Sequence, residues 1–589
     1  MDNMILSVIV FAGGLAFFLY GMHVMSSSLE KMAGGKLESI LKKLTSNRFK
    51  ALAVGAGVTA VIQSSSALTV MLVGLVNSGI MSLTQSIGVI MGSNIGTTMT
   101  AWLLSLMDIS GSSLAMKLMK PDYFSLVLAL IGAFMLMLCK SVKKKDIANI
   151  MVGFAVLMYG MKIMGDTVEP LAEVPEFQNL MLAFKNPILG VIVGAVVTCI
   201  IQSSSASVGI LQTLASQTGQ VTNGMAIPII MGQNIGTCIT ALISSIGVSR
   251  NAKKVAIVHV SFNLIGTTVL LTLYLILNSI FVFAFSDLPA NATSIAVIHS
   301  VFNITTTVVL LPFTWLLEKI ANTILPDKTE EQPMKKGVMI DKRLLATPSV
   351  AISECQEASA RMAQLANTTL LDAISLITAY DEAKADQIRK NEDMLDNYED
   401  LIGTTLVQVS SQALSEHDSQ TTTRVLRAIG DFERLGDHAL NMVDIAKEIH
   451  DKKIQFTPEA QKELSVLTDA LTEILHNTFT VYDNADEKAA ADIEPLEQVI
   501  DYLTRDIRAN HIQRLQKGMC SIETGFVLAD MLTNFERVSD HCSNIAVAII
   551  ETSHSTFDTH KYLSKVKFGN KNFNEQFDRY AAQYQLPRA

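Results

Sequence analysis

Long apolar segments with short polar connections fill the first half of the chain, and amphipathic helical periodicity fills the second half. Most apolar segments have roughly the 20 residues that a helix needs to cross a bilayer. Two of them are longer and are interrupted by polar and glycine positions, so they predict broken or re-entrant helices. We expect the first segment to be a retained span rather than a secretion signal, because it lacks a basic leader. The segments lie at about 4–25, 51–80, 83–106, 123–139, 147–165, 187–216, 225–247, 255–285 and 294–317.

The two interrupted segments carry the same run of uncharged polar residues. The sequence Gln-Ser-Ser-Ser-Ala occurs at Gln63–Ala67 and again at Gln202–Ala206, 139 residues later. Polar groups at membrane depth need internal partners, so two identical clusters predict one site built from two repeated halves. Flanking blocks recur in the same order: Leu19–Met22 with Met158–Met161, Glu30 with Glu169, and Met91–Thr98 with Met231–Cys238.

The charges of the connecting loops predict the orientation of the two repeats. Lys and Arg residues concentrate in 26–50, 140–146, 250–254 and 318–343, and they are sparse in the other connections. If the basic loops face the cytoplasm, each repeat makes three crossings and the second repeat is inverted relative to the first. Inverted repeats with broken helices are typical of secondary transporters.

The chemistry of the polar clusters suits small ions. Hydroxyl and amide oxygens are neutral ligands for a small cation such as sodium, and the same groups with helix amides can donate to an oxyanion. The alternative is that serine and other small residues only pack helices together. A second pair of motifs, His259–Asn263 and His299–Asn303, places histidine and asparagine on one helix face. For this pair we favour hydrogen bonds between helices over a direct substrate role.

These motifs resemble the type II sodium–phosphate cotransporters, whose hallmark is paired Gln-Ser-Ser-Ser motifs in inverted repeats. The resemblance covers about Phe11 to Pro312. It implies sodium-coupled movement of inorganic phosphate. It also implies that two motif sets line a shared substrate and sodium site. Those residues are Gln63, Ser64, Ser65, Ser66, Asn94, Thr97, Gln202, Ser203, Ser204, Ser205, Asn234 and Thr237.

A polar segment with two prolines, Leu325–Gly337, predicts a domain boundary, and six long amphipathic helices are predicted after Pro348. Internal repetition here, with Phe432–His438 recurring as Phe535–His541, favours two three-helix bundles. Carboxylates spaced i, i+4 repel on a bare helix, so they indicate a counter-ion or a basic partner. Their hard oxygens suit a divalent metal or iron, with His438 and His541 as further candidate ligands. The alternative is a solvated face paired with arginines.

The second half resembles the PhoU family of phosphate-signalling proteins over about 350–555. This resemblance implies a regulatory role and a tentative metal set: Glu392, Asp396, Glu433, Asp437, Glu497, Asp501, Glu536 and Asp540. The predicted fold class is all-α, a polytopic membrane protein followed by a soluble double three-helix bundle. The predicted domains are repeat 1 (1–140), repeat 2 with a final span (141–320), a linker (321–347), the PhoU-like domain (348–556) and a polar tail (557–589).

Charge and cysteine content narrow the function further. The net charge of −9 divides into +7 up to Arg343 and −16 beyond it, which argues against nucleic acid as a partner. The six cysteines form no C-x-x-C pair, so we expect neither a metal knuckle nor a disulfide framework. The chain has no G-x-x-x-x-G-K-[ST] loop and no nucleophile elbow, so we expect neither ATP-driven pumping nor enzyme chemistry. The expected function is a sodium:phosphate symporter of the bacterial inner membrane with its C-terminal domain in the cytoplasm. The alternatives are a membrane-anchored phosphate or metal sensor, a carrier of another oxyanion, and a phosphate exporter. Expected partners are phosphate and the lipid bilayer; further candidates are phosphate-signalling proteins and a second copy of the chain.

Overall fold

Helices account for the fold. The computed structural model describes residues 2–33, 40–41, 44–45, 47–108, 121–326, 340–412, 414–554 and 571–587. Within these ranges the only β-pairing is an isolated bridge between Thr222 and Pro289, so the predicted all-α class is confirmed. Part of the predicted linker (327–339), part of the first basic loop (34–39) and part of the tail (555–570) lie outside the described residues.

The chain divides into two compact units. The first comprises 1–332 and 341–350, and the second comprises 333–340 and 351–589. The first unit contains α1 (Asp2–Ala33), α2 (Arg48–Ile62), α3 (Ser65–Asn77), α4 (Leu83–Leu104), α5 (Pro121–Leu138), α6 (Val142–Val168), α7 (Pro175–Ala183), α8 (Pro187–Ile201), α9 (Ser204–Thr218), α10 (Asn223–Gly236), α11 (Cys238–Ser244), α12 (Arg250–Phe281), α13 (Ala292–Leu310) and α14 (Thr314–Ile324).

Several helices of the first unit are long and apolar enough to cross a membrane. Six qualify within the described residues, and a seventh does so if the bent pair α7 and α8 counts as one span. The six are Leu6–Ala33, Leu83–Leu104, Val142–Val168, Asn223–Ser244, Arg250–Phe281 and Ala292–Ile324. The segments 51–80 and 187–216 are broken helices, as their polar interruptions predict.

The first helices of the two repeats, α1 and α6, pack against each other through a reciprocal contact. A Cβ atom at Gly21 would lie 2.3 Å from the backbone nitrogen of Leu157, and one at Gly160 would lie 2.4 Å from that of Phe18. Gly21 matches Gly160 in the repeat, and Phe18 matches Leu157 at the same offset. Gly21 therefore contacts Leu157, and their equivalents in the other repeat, Gly160 and Phe18, contact each other in the same way. This reciprocal pattern is that of a local two-fold relation.

Among its described residues, the second unit contains six long helices and two shorter ones, and the first long helix begins just before the boundary of the unit. They are α15 (Pro348–Leu376), α16 (Glu382–Ser410), α17 (Glu416–Lys452), α18 (Pro458–Asn484), the short α19 (Glu487–Ala490), α20 (Ile493–Gln516), α21 (Ile522–His554) and α22 (Lys571–Gln583). The six long helices agree with the number predicted. In the core, the buried ring of Phe432 stacks on Phe479 and meets Tyr482 edge-on.

The polar tail is more ordered than its composition suggests. We expected an irregular segment from about residue 557, but residues 571–583 form α22, which packs against α20. Two aromatic side chains explain the docking: Tyr580 is buried, and Phe577 contacts Tyr502 edge to face. Because the outer face of α22 is polar, the average composition of the segment did not indicate the apolar stripe formed by Phe577 and Tyr580.

Candidate substrate and ion site

The first Gln-Ser-Ser-Ser motif lies in the break between α2 and α3. Gln63 ends α2 in the left-handed conformation, with φ of 60°, and its backbone N–H donates to the Thr59 carbonyl. The next residue, Ser64, is the N-cap of α3, and its hydroxyl accepts from the Ala67 N–H at 3.2 Å. A helix C-terminus and a helix N-terminus therefore meet at this motif, so acceptor and donor groups of the backbone lie side by side.

The second motif repeats this geometry. Gln202 ends α8 with φ of 57°, and its N–H donates to the Thr198 carbonyl. The Ser203 hydroxyl caps α9 by accepting from the Ala206 N–H at 3.2 Å. A left-handed glutamine costs roughly 1–2 kcal/mol relative to the ordinary helical conformation. Because both copies of the motif adopt this costly conformation at the same position, we attribute the break to the motif and not to irregular packing.

The serines after the caps lie in the first turns of α3 and α9. Ser65, Ser204 and Ser205 are buried, and Ser66 is half-buried. Residues in the first turn of a helix have backbone N–H groups without intrahelical partners. Each motif thus combines hydroxyl groups with helix amides, the donor set that binds oxyanions without a fixed positive charge.

The Asn-Ile-Gly-Thr motifs lie within α4 and at the α10–α11 junction. All four polar residues are buried, and each side chain bonds its own helix. Asn94 Nδ2 donates to the Ile90 carbonyl at 3.0 Å, and Asn234 Nδ2 donates to the Ile230 carbonyl at 2.9 Å. Thr97 and Thr237 likewise donate to carbonyls four residues back, each at 2.9 Å. These bonds use one N–H of each amide and the hydrogen of each threonine hydroxyl, and the amide oxygens are the atoms that suit a cation.

Glycines bring the two motif types of each repeat into close contact. A Cβ atom at Gly96 would lie 2.5 Å from the Ala56 carbonyl oxygen and 2.7 Å from Thr59 Cβ. At the equivalent Gly236, the distances are 2.4 Å to the Ala195 carbonyl oxygen and 2.7 Å to Thr198 Cβ. Only a residue without a side chain permits such an approach, so α2 packs directly on α4 and α8 on α10.

Other contacts connect the breaks to neighbouring helices and across the repeats. The Gln63 Oε1 atom accepts from the Thr100 hydroxyl of α4 at 2.7 Å. The fully buried Gln212 of α9 donates to the Ala101 carbonyl of α4 at 2.9 Å and to the Ala292 carbonyl at 2.8 Å. In turn, α3 packs against α11. Each helix that follows a Gln-Ser-Ser-Ser motif therefore contacts the other repeat near its Asn-Ile-Gly-Thr motif. Among the hydrogen bonds of the described residues, none joins the serines of one motif to those of the other.

The structure does not bear out the hydrogen bonds expected of the His–Asn pairs. His259 and His299 are buried, yet neither ring nitrogen of either residue has a hydrogen-bond partner within the described residues. Asn263 and Asn303 each donate mainly to the histidine carbonyl of their own helix, at 3.1 and 2.9 Å. Asn263 also reaches Cys238 Sγ at 3.3 Å, which is a contact between helices. The prediction was wrong for the imidazoles because helix spacing fixes a shared face but not a partner.

Three of the carboxylates predicted to bind metal come together in the second bundle of the second unit. Oxygens of Glu497, Asp501 and Asp540 lie within 4.8 Å of one another, and Glu497 is buried. Glu536 lies 4.0 Å from Arg508 instead. Three hard oxygen donors at this spacing fit a divalent cation. His438 and His541 bind elsewhere, at 2.8 Å from Asn534 and Asp431 respectively.

The equivalent carboxylates of the first bundle form a second acidic cluster. Burial, followed by the nearby charges of Asp396 and Asp437, raises the pKa of Glu392. Burial and the Asp437 charge likewise raise the pKa values of Asp396 and Glu433. Like charges that raise one another's pKa values repel, and a bound cation would relieve that repulsion. Among the described residues, however, no three carboxylate oxygens of this cluster lie within 4.8 Å of one another, so its mutual repulsion is the feature that favours a cation here.

Comparison with known proteins identifies both halves of the chain. A sequence profile described as Na+/Pi-cotransporter matches twice, at 17–166 and 156–288. The profile of the PhoU domain also matches twice, at 360–446 and 464–549. The chain carries a Na+/Pi-cotransporter family domain followed by PhoU domains. The chain is therefore a multi-pass membrane protein with a transporter-family domain, and neither matched profile is that of an enzyme family.

The similarity to YjbB of Escherichia coli (strain K12), described as a "putative inorganic phosphate export protein", extends over both halves. The two are 22% identical over 552 residues, which is 93% of this chain and 98% of YjbB. Sodium-dependent phosphate transport protein 2A of Rattus norvegicus is 39% identical over 107 residues, covering 18% of this chain and 17% of that protein. The solved PhoU of Streptococcus pneumoniae is 17% identical and covers 35% of this chain and 97% of its own, with a TM-score of 0.32.

Several residues at the breaks escaped the sequence prediction. Thr59 and Thr198 are equivalent in the repeat, buried, and one turn before Gln63 and Gln202, and their hydroxyls have no partner among the described residues. The repeat itself carried this signal, because Val-Thr precedes both motifs at the 139-residue offset. Thr100 also recurs, as Thr240 at the 140-residue offset, but its contact with Gln63 depends on how α4 lies beside the break.

Proposed function

We propose that this Na+/Pi-cotransporter family protein is a sodium-coupled secondary transporter of inorganic phosphate in the bacterial inner membrane. The observation that supports this proposal best is the duplicated helix break, with a left-handed glutamine and a serine N-cap in each copy. Broken helices whose ends point at a shared site are the device by which many secondary transporters bind an anion together with its coupling ions.

Phosphate and sodium would use different ends of the same breaks. The hydroxyls and free amides at the starts of α3 and α9 would hold the phosphate oxygens. The side-chain amide oxygens of Gln63, Asn94 and their equivalents Gln202 and Asn234 would hold sodium. Bound sodium would offset the charge of the phosphate, so no fixed lysine or arginine needs to be buried there.

The reciprocal packing of the repeats supports a single shared site. The contacts of Gly21 with Leu157 and of Gly160 with Phe18 fit a two-fold axis, and α9 and α3 each cross to the other repeat. We propose that this axis makes the repeats inverted, with the basic loops and the C-terminal domain in the cytoplasm. Two breaks that enter from opposite faces would then meet near the middle of the membrane.

The test is uptake of radiolabelled phosphate by proteoliposomes that contain the purified full-length protein. We expect accumulation above equilibrium only when an inward sodium gradient is imposed, and collapse of that accumulation with a sodium ionophore. Phosphate binding without gradient-driven accumulation would instead support the sensor. Equal uptake of sulfate would support a broader oxyanion carrier.

Phosphate export is the second candidate, because YjbB, described as a "putative inorganic phosphate export protein", aligns with almost all of this chain. The same vesicles distinguish the two directions. Vesicles preloaded with phosphate should lose it faster under an outward sodium gradient if transport is symport. Efflux that ignores the sodium gradient would favour a dedicated exporter.

The PhoU domains would regulate this transport. We propose that the carboxylates of Glu497, Asp501 and Asp540, with the first-bundle cluster of Glu392, Asp396, Glu433 and Asp437, bind divalent cations or iron. Metal analysis of the full-length protein, with and without dialysis against a chelator, tests this point. A metal-free protein with unchanged helix content would favour a solvated acidic face.

A further inference from the structure

The short segment Asp341–Ala346 lies on the first unit, directly before α15. It forms a single 3₁₀ turn, and its Asp341 and Leu344 side chains are buried. The turn packs against α3, the helix that follows the first Gln-Ser-Ser-Ser motif. A segment so far along the chain therefore forms part of the transporter-family unit.

Asp341 bonds the last residue of α3. Asn77 Nδ2 donates to Asp341 Oδ2 at 2.5 Å, and Asn77 Oδ1 accepts from the Ser249 N–H at the start of α12, at 2.8 Å. Both Asn77 and Asp341 are less than 10% exposed. One buried amide thus connects α3, the N-terminus of α12 and the 3₁₀ turn, and a missing partner would leave a buried polar group unsatisfied.

Arg343 extends this network to the second repeat. Its Nε atom donates to the Ser244 carbonyl at 2.7 Å, and its Nη2 atom donates to the Ile246 carbonyl at 2.6 Å. Its Nη1 atom lies 3.1 Å from Asp341 Oδ1. Ser244 ends α11, which begins directly after Thr237, so the guanidinium caps the C-terminus of a helix that adjoins the second Asn-Ile-Gly-Thr motif.

The buried side chain of Leu344 packs against α3 at Gly74. A Cβ atom at Gly74 would lie 2.7 Å from Leu344 Cδ2, so the leucine lies against bare helix backbone. The equivalent end of the second repeat is joined differently. There the Ser216 hydroxyl accepts from the Ala292 N–H at 3.1 Å, and the adjacent loop supplies its own backbone pairing, from the Ala290 N–H to the Val221 carbonyl.

We infer that Asp341 and Arg343 are positioning residues for transport, because they fix α3 relative to α11 and α12. These helices adjoin the first Gln-Ser-Ser-Ser motif, the second Asn-Ile-Gly-Thr motif and the first His–Asn pair. The expected effect on the transport rate rests on the proposed function. The fixing of α3 relative to α11 and α12 rests on the contacts alone.

An exchange of the two interacting side chains tests the inference. Asp341→Asn leaves one acceptor oxygen at position 341 for both the Asn77 amide and Arg343, and Asn77→Asp opposes two carboxylates, so each single variant disrupts the network. The double variant restores an amide–carboxylate pair: the amide introduced at position 341 would donate to the carboxylate at position 77, and its oxygen would still accept from Arg343. Arg343→Lys keeps the charge but cannot reach both carbonyls and Asp341. Lys342→Gln, at an exposed side chain, is the matched control.

Two measurements on the full-length protein separate this inference from the proposed function. Amide hydrogen exchange at 74–80 and 244–250 should rise in each single variant and in Arg343→Lys, and return towards wild type in the double variant. The maximal rate of sodium-driven phosphate uptake should fall about tenfold in the single variants, as for a buried group without its partner, while KM changes less than twofold. The double variant should regain at least half of the wild-type rate.

Unchanged exchange in the single variants, or a double variant no better than the worse single one, would overturn the inference. Raised exchange with wild-type uptake rates would also overturn it, because the contacts would then hold the helices without positioning them for transport. A wild-type protein that takes up no phosphate refutes the proposed function, and the exchange data still decide whether the turn fixes the helices.

Discussion

Replacing Gly96 by alanine should disable transport by pushing two motif-bearing helices apart. The added Cβ would lie 2.5 Å from the Ala56 carbonyl oxygen, whereas ordinary van der Waals contact begins at 3.4 Å, so α2 and α4 must separate by about 0.9 Å. A misplacement of about 1 Å in a preorganised site costs roughly 100-fold in rate. We therefore expect sodium-driven phosphate uptake to fall by about 100-fold per protein molecule in proteoliposomes.

Gly57→Ala is the matched control for this experiment. Gly57 lies on the same helix as Ala56, and no heavy atom lies within 4 Å of the Cβ that would be added. In a helix interior, alanine stabilises the helix by up to about 1 kcal/mol relative to glycine, so this variant should keep full uptake. Gly236→Ala should behave like Gly96→Ala, because its Cβ would lie 2.4 Å from the Ala195 carbonyl oxygen. Uptake within twofold of wild type in both Gly96→Ala and Gly236→Ala would refute the role of this close packing.

Two further predictions concern the second unit. The affinity of the first-bundle cluster for divalent cations should weaken as the pH is lowered, beginning above pH 4.5, because the raised pKa of Glu392 lets protons compete at a higher pH than at an ordinary glutamate. Titration with Mn²⁺, followed by electron paramagnetic resonance, measures this affinity, and Glu416→Gln is the control. An affinity that does not change with pH would contradict the prediction. Glu463→Gln should destabilise the helices around the buried Arg514–Glu463 pair, whose nitrogen and oxygen atoms lie 2.7 Å apart, by about 3–5 kcal/mol in hydrogen exchange. Glu448→Gln at an exposed pair should cost less than about 1 kcal/mol, and equal effects of the two variants would contradict the burial argument.

The sequence predicted the features of this protein that repeat or that follow from local chemistry. Polar interruptions predicted the broken helices, and the serine after each glutamine is a strong N-cap residue, so the position of the break followed from the motif. The carboxylate spacing likewise predicted the face shared by Glu497 and Asp501.

Contacts between segments that are distant in the chain could not be predicted from the sequence. Nothing in the composition of Asp341–Ala346 indicated that it would pack on α3, because the partner Asn77 lies 264 residues earlier. The imidazoles of His259 and His299 share a helix face with asparagines, yet their surroundings depend on how whole helices pack. The docking of α22 was missed for a similar reason, since one buried tyrosine was hidden in a polar segment.

We propose that the two Gln-Ser-Ser-Ser breaks form one site, and the stoichiometry of phosphate binding tests this proposal most directly. Equilibrium binding of radiolabelled phosphate to the purified full-length protein in saturating sodium should give one phosphate per chain. Ser65→Ala and Ser204→Ala should each weaken that binding by about 10–100-fold, as for a lost hydrogen bond to a charged ligand. Two phosphates per chain, or one half of the binding surviving each substitution, would contradict a shared site.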